Sequence, residues 1–546
     1  MKPRHPYGAV AMWCVVFFVL VPSMCAQEAA APQHTGVPQD WSQHHIVFSR
    51  DALARHPELI YREPRILHQA MQRWQAPNSD VFRGADPLPI PVNKSGSHRD
   101  WSVSLAGRIV AHMFPAKFSF DPAAPPDCTN DYVVFGLAAA GTTGGHPNLV
   151  GFNNLYVGTG GYCGTGPKPA VLFAYNITTV AGGRISTSPI LSLDGRKIGF
   201  VESGGATAIF HVLTWTGGQG TLTAAAAPNM TSLTFSTTAS GTTSSPWVDY
   251  GSDIVYVGAD NGQVYKITDV FKGTPTLAPS PPWPVALGTL HLTPPVLDSG
   301  RGLLMVGSAN GNLYQIDTAS GTLAATLSVG AGHSHGILAP PIVDVTNGTT
   351  FVVSGNDGTS AVLEEVDTAT LIVLSKARIG LGNSAGAAVD LYEPAFTHDY
   401  FNDPNTGSVR LCGTGAADTT PWQYAFGFTG RTMQTTASFS QQLPTIPANS
   451  ADARCTGWTE FFNPNINGGT DFFFFGLTQD CTAAGGPGGC VAELSGDTAP
   501  TATATVTGGP SGIVVDNYST AGQASSIYLT GENVQTAYKF TQNGLQ

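Results

Sequence analysis

Charge is the scarcest property of this chain. Of 546 residues, 25 are Lys or Arg and 37 are Asp or Glu, so 11% are charged, against about 25% in an average globular domain. No basic stripe is present that could displace counterions from a nucleic acid, and a formal net charge of −12 opposes that class of partner further. Apolar character is not scarce: 42% of the residues are apolar or aromatic, which excludes a disordered chain. C-x-x-C spacing is missing, which removes the common zinc and haem-attachment patterns. Beyond residue 26, no apolar run reaches the ~20 residues that a membrane-spanning helix needs. What the chain has in quantity is Gly (64) and Pro (39). The class these values point to is a turn-rich, all-β protein.

The N-terminus reads as an export signal. Lys2 and Arg4 precede the apolar run AVAMWCVVFFVLV (9–21), which is too short to span a bilayer and suits a signal-peptide core. Small residues follow around Cys25 and Ala26, so residues 1–26 are expected to be removed, leaving a secreted or periplasmic chain. Six cysteines then remain: Cys128, Cys163, Cys412, Cys455, Cys481 and Cys490. An even count in an oxidising compartment favours disulfides. Sequence proximity suggests 128–163, 412–455 and 481–490, with other pairings left open.

Charge divides the chain in two. Residues 1–101 hold 10 of the 25 Lys and Arg and 7 of the 14 His, whereas residues 102–546 carry 15 basic and 29 acidic side chains, a net of −14. The first part contains the one clear helical signal. In EPRILHQAMQRW (63–74), Pro64 suits a helix start, and Ile66, Leu67, Ala70, Met71 and Trp74 form an apolar stripe. The expectation for 27–99 is a helical extension docked on the main body through that stripe, followed by a Pro/Gly/Ser linker.

The second part repeats. SPWVDYGSDIVYVGADNGQVYKI (245–267) aligns without a gap to PPVLDSGRGLLMVGSANGNLYQI (294–316), 49 residues later (294 − 245). Each copy reads as a strand ending in Asp, a second apolar strand ending in Gly, an Asn-Gly turn and a third strand. The Asn-Gly turn is expected to place both of its residues at positive φ. The second strand recurs as DYVVFG, GFVESG, DIVYVG, LLMVG, FVVSG, VRLCG, DFFFFG and SIYLTG. Their final glycines, at 136, 204, 258, 307, 355, 413, 476 and 531, stand 48 to 68 residues apart, about the period of a four-stranded propeller blade. The runs are continuously apolar, as strands buried on both faces must be. The expected fold is an all-β, eight-bladed β-propeller over 100–546, with seven blades as the alternative count. The last copy has three strands, so DWSVSLA (100–106) is expected to complete it and close the ring.

VYVGADNGQVYKITD and LLMVGSANGNLYQIDTASGTL resemble the PQQ-type propeller repeats of quinoprotein alcohol dehydrogenases and of their non-catalytic relatives. LSLDGRKIGFVES (191–203) is similar to the propeller repeat of TolB-like proteins. For an enzyme, the resemblance implies PQQ, a calcium ion held by carboxylate and amide oxygens, a catalytic aspartate and commonly an adjacent-cysteine disulfide over the cofactor. No two cysteines are adjacent here. The repeat aspartates Asp249, Asp298, Asp344 and Asp516 end inner strands, where capping of the turn explains them.

One short stretch carries catalytic-looking spacing. Gly332-His333-Ser334-His335-Gly336 fits the G-x-S-x-G elbow of serine hydrolases. An elbow needs a helix after the serine, and the following ILAPPIVD reads as a strand, so a hydrolase there is a remote alternative. His333 and His335 precede the inner strand of one blade, as His291 precedes that of the blade before. The three imidazoles could converge on a metal, although no neighbouring carboxylate in the sequence is available to orient them. The function expected is a secreted or periplasmic binding or scaffold module, monomeric and without a catalytic site or cofactor. Its partner would be a protein, a glycan or an envelope component. A PQQ- and calcium-dependent dehydrogenase is the alternative.

Overall fold

The computed structural model describes residues 36–50, 63–74 and 97–542, apart from 123, 240, 289, 331–334, 381–389, 416, 417, 419, 444–452, 464–468, 482–487, 497–499, 501, 518 and 520. The expected leader, residues 1–26, lies outside the described residues. Eight sheets follow one another, and each is one blade. Blade four shows the pattern plainly: Val296–Asp298, Leu303–Gly307, Asn312–Asp317 and Thr322–Ser328, every neighbour antiparallel. The inner strands of the other blades begin at Ala116, Ile190, Trp247, Ile342, Ala395, Thr459 and Val514. Eight blades are therefore present and the seven-blade alternative is set aside.

The second strands are buried because each is packed between two neighbouring blades. All five residues of Tyr132–Gly136 are buried, and Phe473, Phe474 and Phe475 are sealed completely. The glycine that ends these strands has a steric cause. A Cβ on Gly307 would stand 2.4 Å from Ile337 Cγ2, and one on Gly476 would stand 2.0 Å from Pro510 Cγ. Ile337 and Pro510 belong to the links that lead to the next blade. The glycine thus lets each link cross over the end of the second strand.

The Asn-Gly turns differ from the expectation. Gly262 (φ 73°) and Gly311 (φ 82°) are left-handed, whereas Asn261 and Asn310 are not. Asn310 instead accepts a hydrogen bond from Asn312 N at 3.2 Å, and Gly311 N donates to Ser308 O at 2.9 Å. A type I turn followed by a glycine bulge needs one left-handed residue rather than two.

Ser97–Ser104 is the outer strand of blade eight, antiparallel to Thr536–Gln542. Buried charge fixes this joint. Lys539 Nζ pairs with Asp100, and Thr541 Oγ1 donates to Asp100 Oδ2 at 2.6 Å. Between blades eight and one, Lys117 Nζ meets Asp516 Oδ1 at 2.9 Å, and Tyr156 OH donates to Asp516 Oδ2 at 2.9 Å. Three disulfides are formed, Cys128–Cys163, Cys412–Cys455 and Cys481–Cys490. The second ties a strand of blade six to the link before blade seven.

The N-terminal extension does not dock outside the ring. It lines the axial channel. Val37–Gln39 adds to the inner strand of blade one, and Ile46–Val47 pairs in parallel with that of blade five. Gln39 Nε2 donates to Val515 O of blade eight at 2.9 Å, and Trp41 Nε1 donates to Pro246 O, at the entry to blade three, at 3.1 Å. The helix Pro64–Trp74, α1, buries Ile66 and Met71 of its apolar stripe, and it encloses the polar Arg65, His68, Gln69 and Arg73 as well. Polar groups buried in this way need partners. Arg65 donates to Val248 O at 3.0 Å and stacks 4.1 Å from the Trp247 ring centre.

Candidate functional site

At one end of the channel the links that lead into the inner strands converge around a cavity of about 250 Å³. Six blades contribute, through residues such as His112, Ser188, Ser245, His291, Ile337 and Glu393, and Trp41 of the channel segment completes the lining. The walls are otherwise mostly apolar, with Met113, Phe114, Leu292 and Tyr392 among them. Among the described residues, neither Lys nor Arg lines it.

Two polar groups in this wall lack partners. Glu393 is 3% exposed, and its Oε2 has no hydrogen-bond partner. Burial pushes this carboxyl up to about 7, because an ion shielded from water without a counter-charge is disfavoured. Its neighbour Gly457 must lack a side chain, since a Cβ there would stand 2.0 Å from Glu393 Oε1. His112 stacks on Tyr392 with ring centres 3.7 Å apart, and its Nε2 is also unpartnered. Desolvation lowers this imidazole to about 4, which keeps it neutral at physiological pH.

Two histidine–aspartate pairs stand in the links. His291 Nδ1 lies 2.7 Å from Asp260 Oδ1, and that hydrogen bond raises the imidazole above its ordinary range. His335 Nδ1 lies 2.5 Å from Asp390 Oδ1, while Arg454 Nη1 holds the other oxygen of Asp390 at 2.7 Å. His333 and Ser334 lie outside the described residues. The orienting carboxylates that the sequence did not offer nearby are therefore supplied by other blades, from the turn at Asp260 and the link at Asp390. Each pairs with one histidine. Among the described residues, no three His, Cys, Asp or Glu side chains come together as a metal site would require.

The residues present do not fit the PQQ and calcium that the repeat resemblance implies. Calcium takes about 6–8 oxygen ligands, and among the described lining residues Glu393 is the one carboxylate. PQQ is a polycarboxylate, and no Lys or Arg is among those described residues to receive it. The repeat aspartates are engaged in turns or at the ring joint. Asp298 accepts from Arg301 N at 3.0 Å, Asp344 from Asn347 N at 2.8 Å, Asp249 from Gly251 N at 3.1 Å, and Asp516 holds Lys117.

No protein-family model and no curated protein matches this chain. Among solved structures it is similar to BamB from Moraxella catarrhalis, with 14% identity over 82% of this chain and 97% of that chain and a TM-score of 0.44. It is also similar to the C-terminal WD40 domain of Sif2 (9% identity, 82% and 99% covered, TM-score 0.46) and to the WD40 domain of Toxoplasma gondii coronin (10%, 64% and 79%, TM-score 0.37).

Proposed function

We propose that this chain is a secreted or periplasmic β-propeller acting as a monomeric binding or scaffold module. Its partner is a protein, glycan or envelope component, engaged through the face where the links converge. The observation that carries this reading is the occupied axis. Strands and a helix of the chain's own N-terminal segment line the channel and touch inner strands around the ring. An axis filled in this way leaves the link face, with its shallow cavity, as the place where a rigid ring can present chemistry from six blades at once. The leader-like N-terminus and the three disulfides support an oxidising, exported setting.

The PQQ dehydrogenase reading has no support in the donor set of the cavity. Two measurements test the proposal. Photo-crosslinkers placed at His291 or His335 should capture a partner from the native compartment, whereas one at Leu323 on an outer strand should not. Added PQQ and calcium should give no dye-linked alcohol or sugar oxidation and no rise in melting temperature, since a ligand of the native state stabilises it. A PQQ-dependent rise in both would overturn the reading.

A further inference from the structure

The cavity at the channel mouth has the marks of a small-molecule site, and its chemistry restricts what could occupy it. Among the described lining residues the one carboxyl is Glu393, which is buried and whose Oε2 has no hydrogen-bond partner. A buried acceptor left in this state is destabilising, and a ligand that brought an N–H donor would remove that cost. The rings of Tyr392, Phe114 and Trp41 also line the cavity, and aromatic π faces attract a cation rather than an anion. His112 adds an imidazole nitrogen without a partner. The remaining candidate charge, His291, is already matched by Asp260. An anion entering the cavity would meet an unpaired carboxyl and, among the described lining residues, no Lys or Arg. A cation would meet its complement. A volume of about 250 Å³ falls below the ~300–1,000 Å³ of pockets for drug-sized ligands, so the occupant is small.

We propose that this cavity binds a small organic amine, with its ammonium group on Glu393 and its apolar body against Tyr392, Phe114 and Trp41. The site lies on the face assigned above to binding, and the inference rests on that reading. The ion pair and N–H donation act together, since a charge-assisted hydrogen bond is roughly twice as strong as a neutral one.

The test is calorimetric titration of the whole protein with phenethylamine, phenylethanol and hydrocinnamate, which share an aromatic body and differ in charge. Phenethylamine should bind saturably, at least about 10-fold tighter than either of the others. Glu393→Gln should reduce its affinity by about 10-fold, with an unchanged circular dichroism spectrum. Ala111→Leu, which narrows the cavity from blade one, should weaken the amine without touching the carboxyl and serves if Glu393→Gln fails to fold. Equal binding of all three compounds, or no amine binding up to ~10 mM, overturns the proposal (a Kd of ~1 mM is already only about −4 kcal/mol). If the amine fails while crosslinking from His291 and His335 persists, the small-molecule site is wrong and the binding-module reading stands. If both fail, both fall.

Discussion

Arg73 Nη1 donates a 2.9 Å hydrogen bond to Glu460 Oε1, joining α1 to the inner strand of blade seven inside the channel. Both side chains are almost wholly buried, and the guanidinium also lies 3.3 Å from the ring centre of Phe401 in blade six. Burial pushes the Glu460 carboxyl up, and Arg73 opposes that push. Removing one partner of such a pair leaves the other buried and unpaired, at a cost of about 3–5 kcal/mol. Arg73→Ala should therefore lower the urea midpoint sharply. Arg73→Met combined with Glu460→Gln should recover most of the loss. If Arg73→Ala is neutral, the helix is not a structural part of the ring.

That pair also shows what the sequence conceals. The ring itself is legible because each blade repeats a locally determined pattern: an apolar strand, a crossing glycine and a turn. Gly307 and Gly476 stand out in the sequence since the links packed over them admit no side chain. The channel segment leaves no such trace. Nothing in VPQDWSQHHIV says that Val37–Gln39 and Ile46–Val47 will pair with blades one and five, because the partners lie about 80 and 300 residues away and pairing at that range is a tertiary choice. The stripe of 63–74 locates the helix but does not reveal that Arg65, His68, Gln69 and Arg73 are buried as well. The cavity is harder still. Glu393 and His112 become a site only when six links meet, and the Asp260 and Asp390 partners of the histidines come from other blades.

The disulfides give a second expectation. Protein beginning after residue 26 and purified without reductant should show no titratable thiol when unfolded, since all six remaining cysteines are paired. Reduction should cost about 2–5 kcal/mol for each bridge. Two or more reactive thiols per chain would contradict the pairing.

Ring closure can be probed at Asp100. Asp100→Asn takes the anion from Lys539, which is fully buried, and should cost about 3–5 kcal/mol. A chain that lacks Ser97–Ser104 but keeps the channel segment leaves Thr536–Gln542 as an open edge, so it should aggregate. Light scattering that shows a monodisperse monomer for the truncated chain would argue against closure by this strand.

Metal content is a further solution measurement. His291 and His335 are each held by one aspartate, an arrangement suited to orienting a ring but supplying too few ligands for zinc. Chelator-free protein should carry no stoichiometric transition metal, and His333→Ala/His335→Ala should not change what is found. Stoichiometric zinc lost on that substitution would establish the metal site.

The last expectation follows from the cost of ionising Glu393 in place. Its carboxyl titrates at about 7 in the folded chain against 4.5 ordinarily. Below pH 4.5 both states are protonated and the residue contributes nothing to pH dependence. As pH rises from 4.5 to about 7, the unfolded chain releases this proton while the folded chain keeps it, so stability falls. Above about pH 7 both are ionised and the loss is complete, at most about 3 kcal/mol for a shift of this size. Glutamine has the shape of the protonated acid and no proton to release. Glu393→Gln and the parent protein should therefore be similarly stable at pH 4, and the variant should gain steadily up to pH 7, then level. Other shifted groups, among them Glu365, Glu532 and the buried His44 and His45, occur in both proteins and cancel in the difference. Paired urea unfolding curves from pH 4 to 8 measure this directly. A stability difference that stays flat across that range would mean the carboxyl is not shielded from water, and the cavity wall would have to be redrawn.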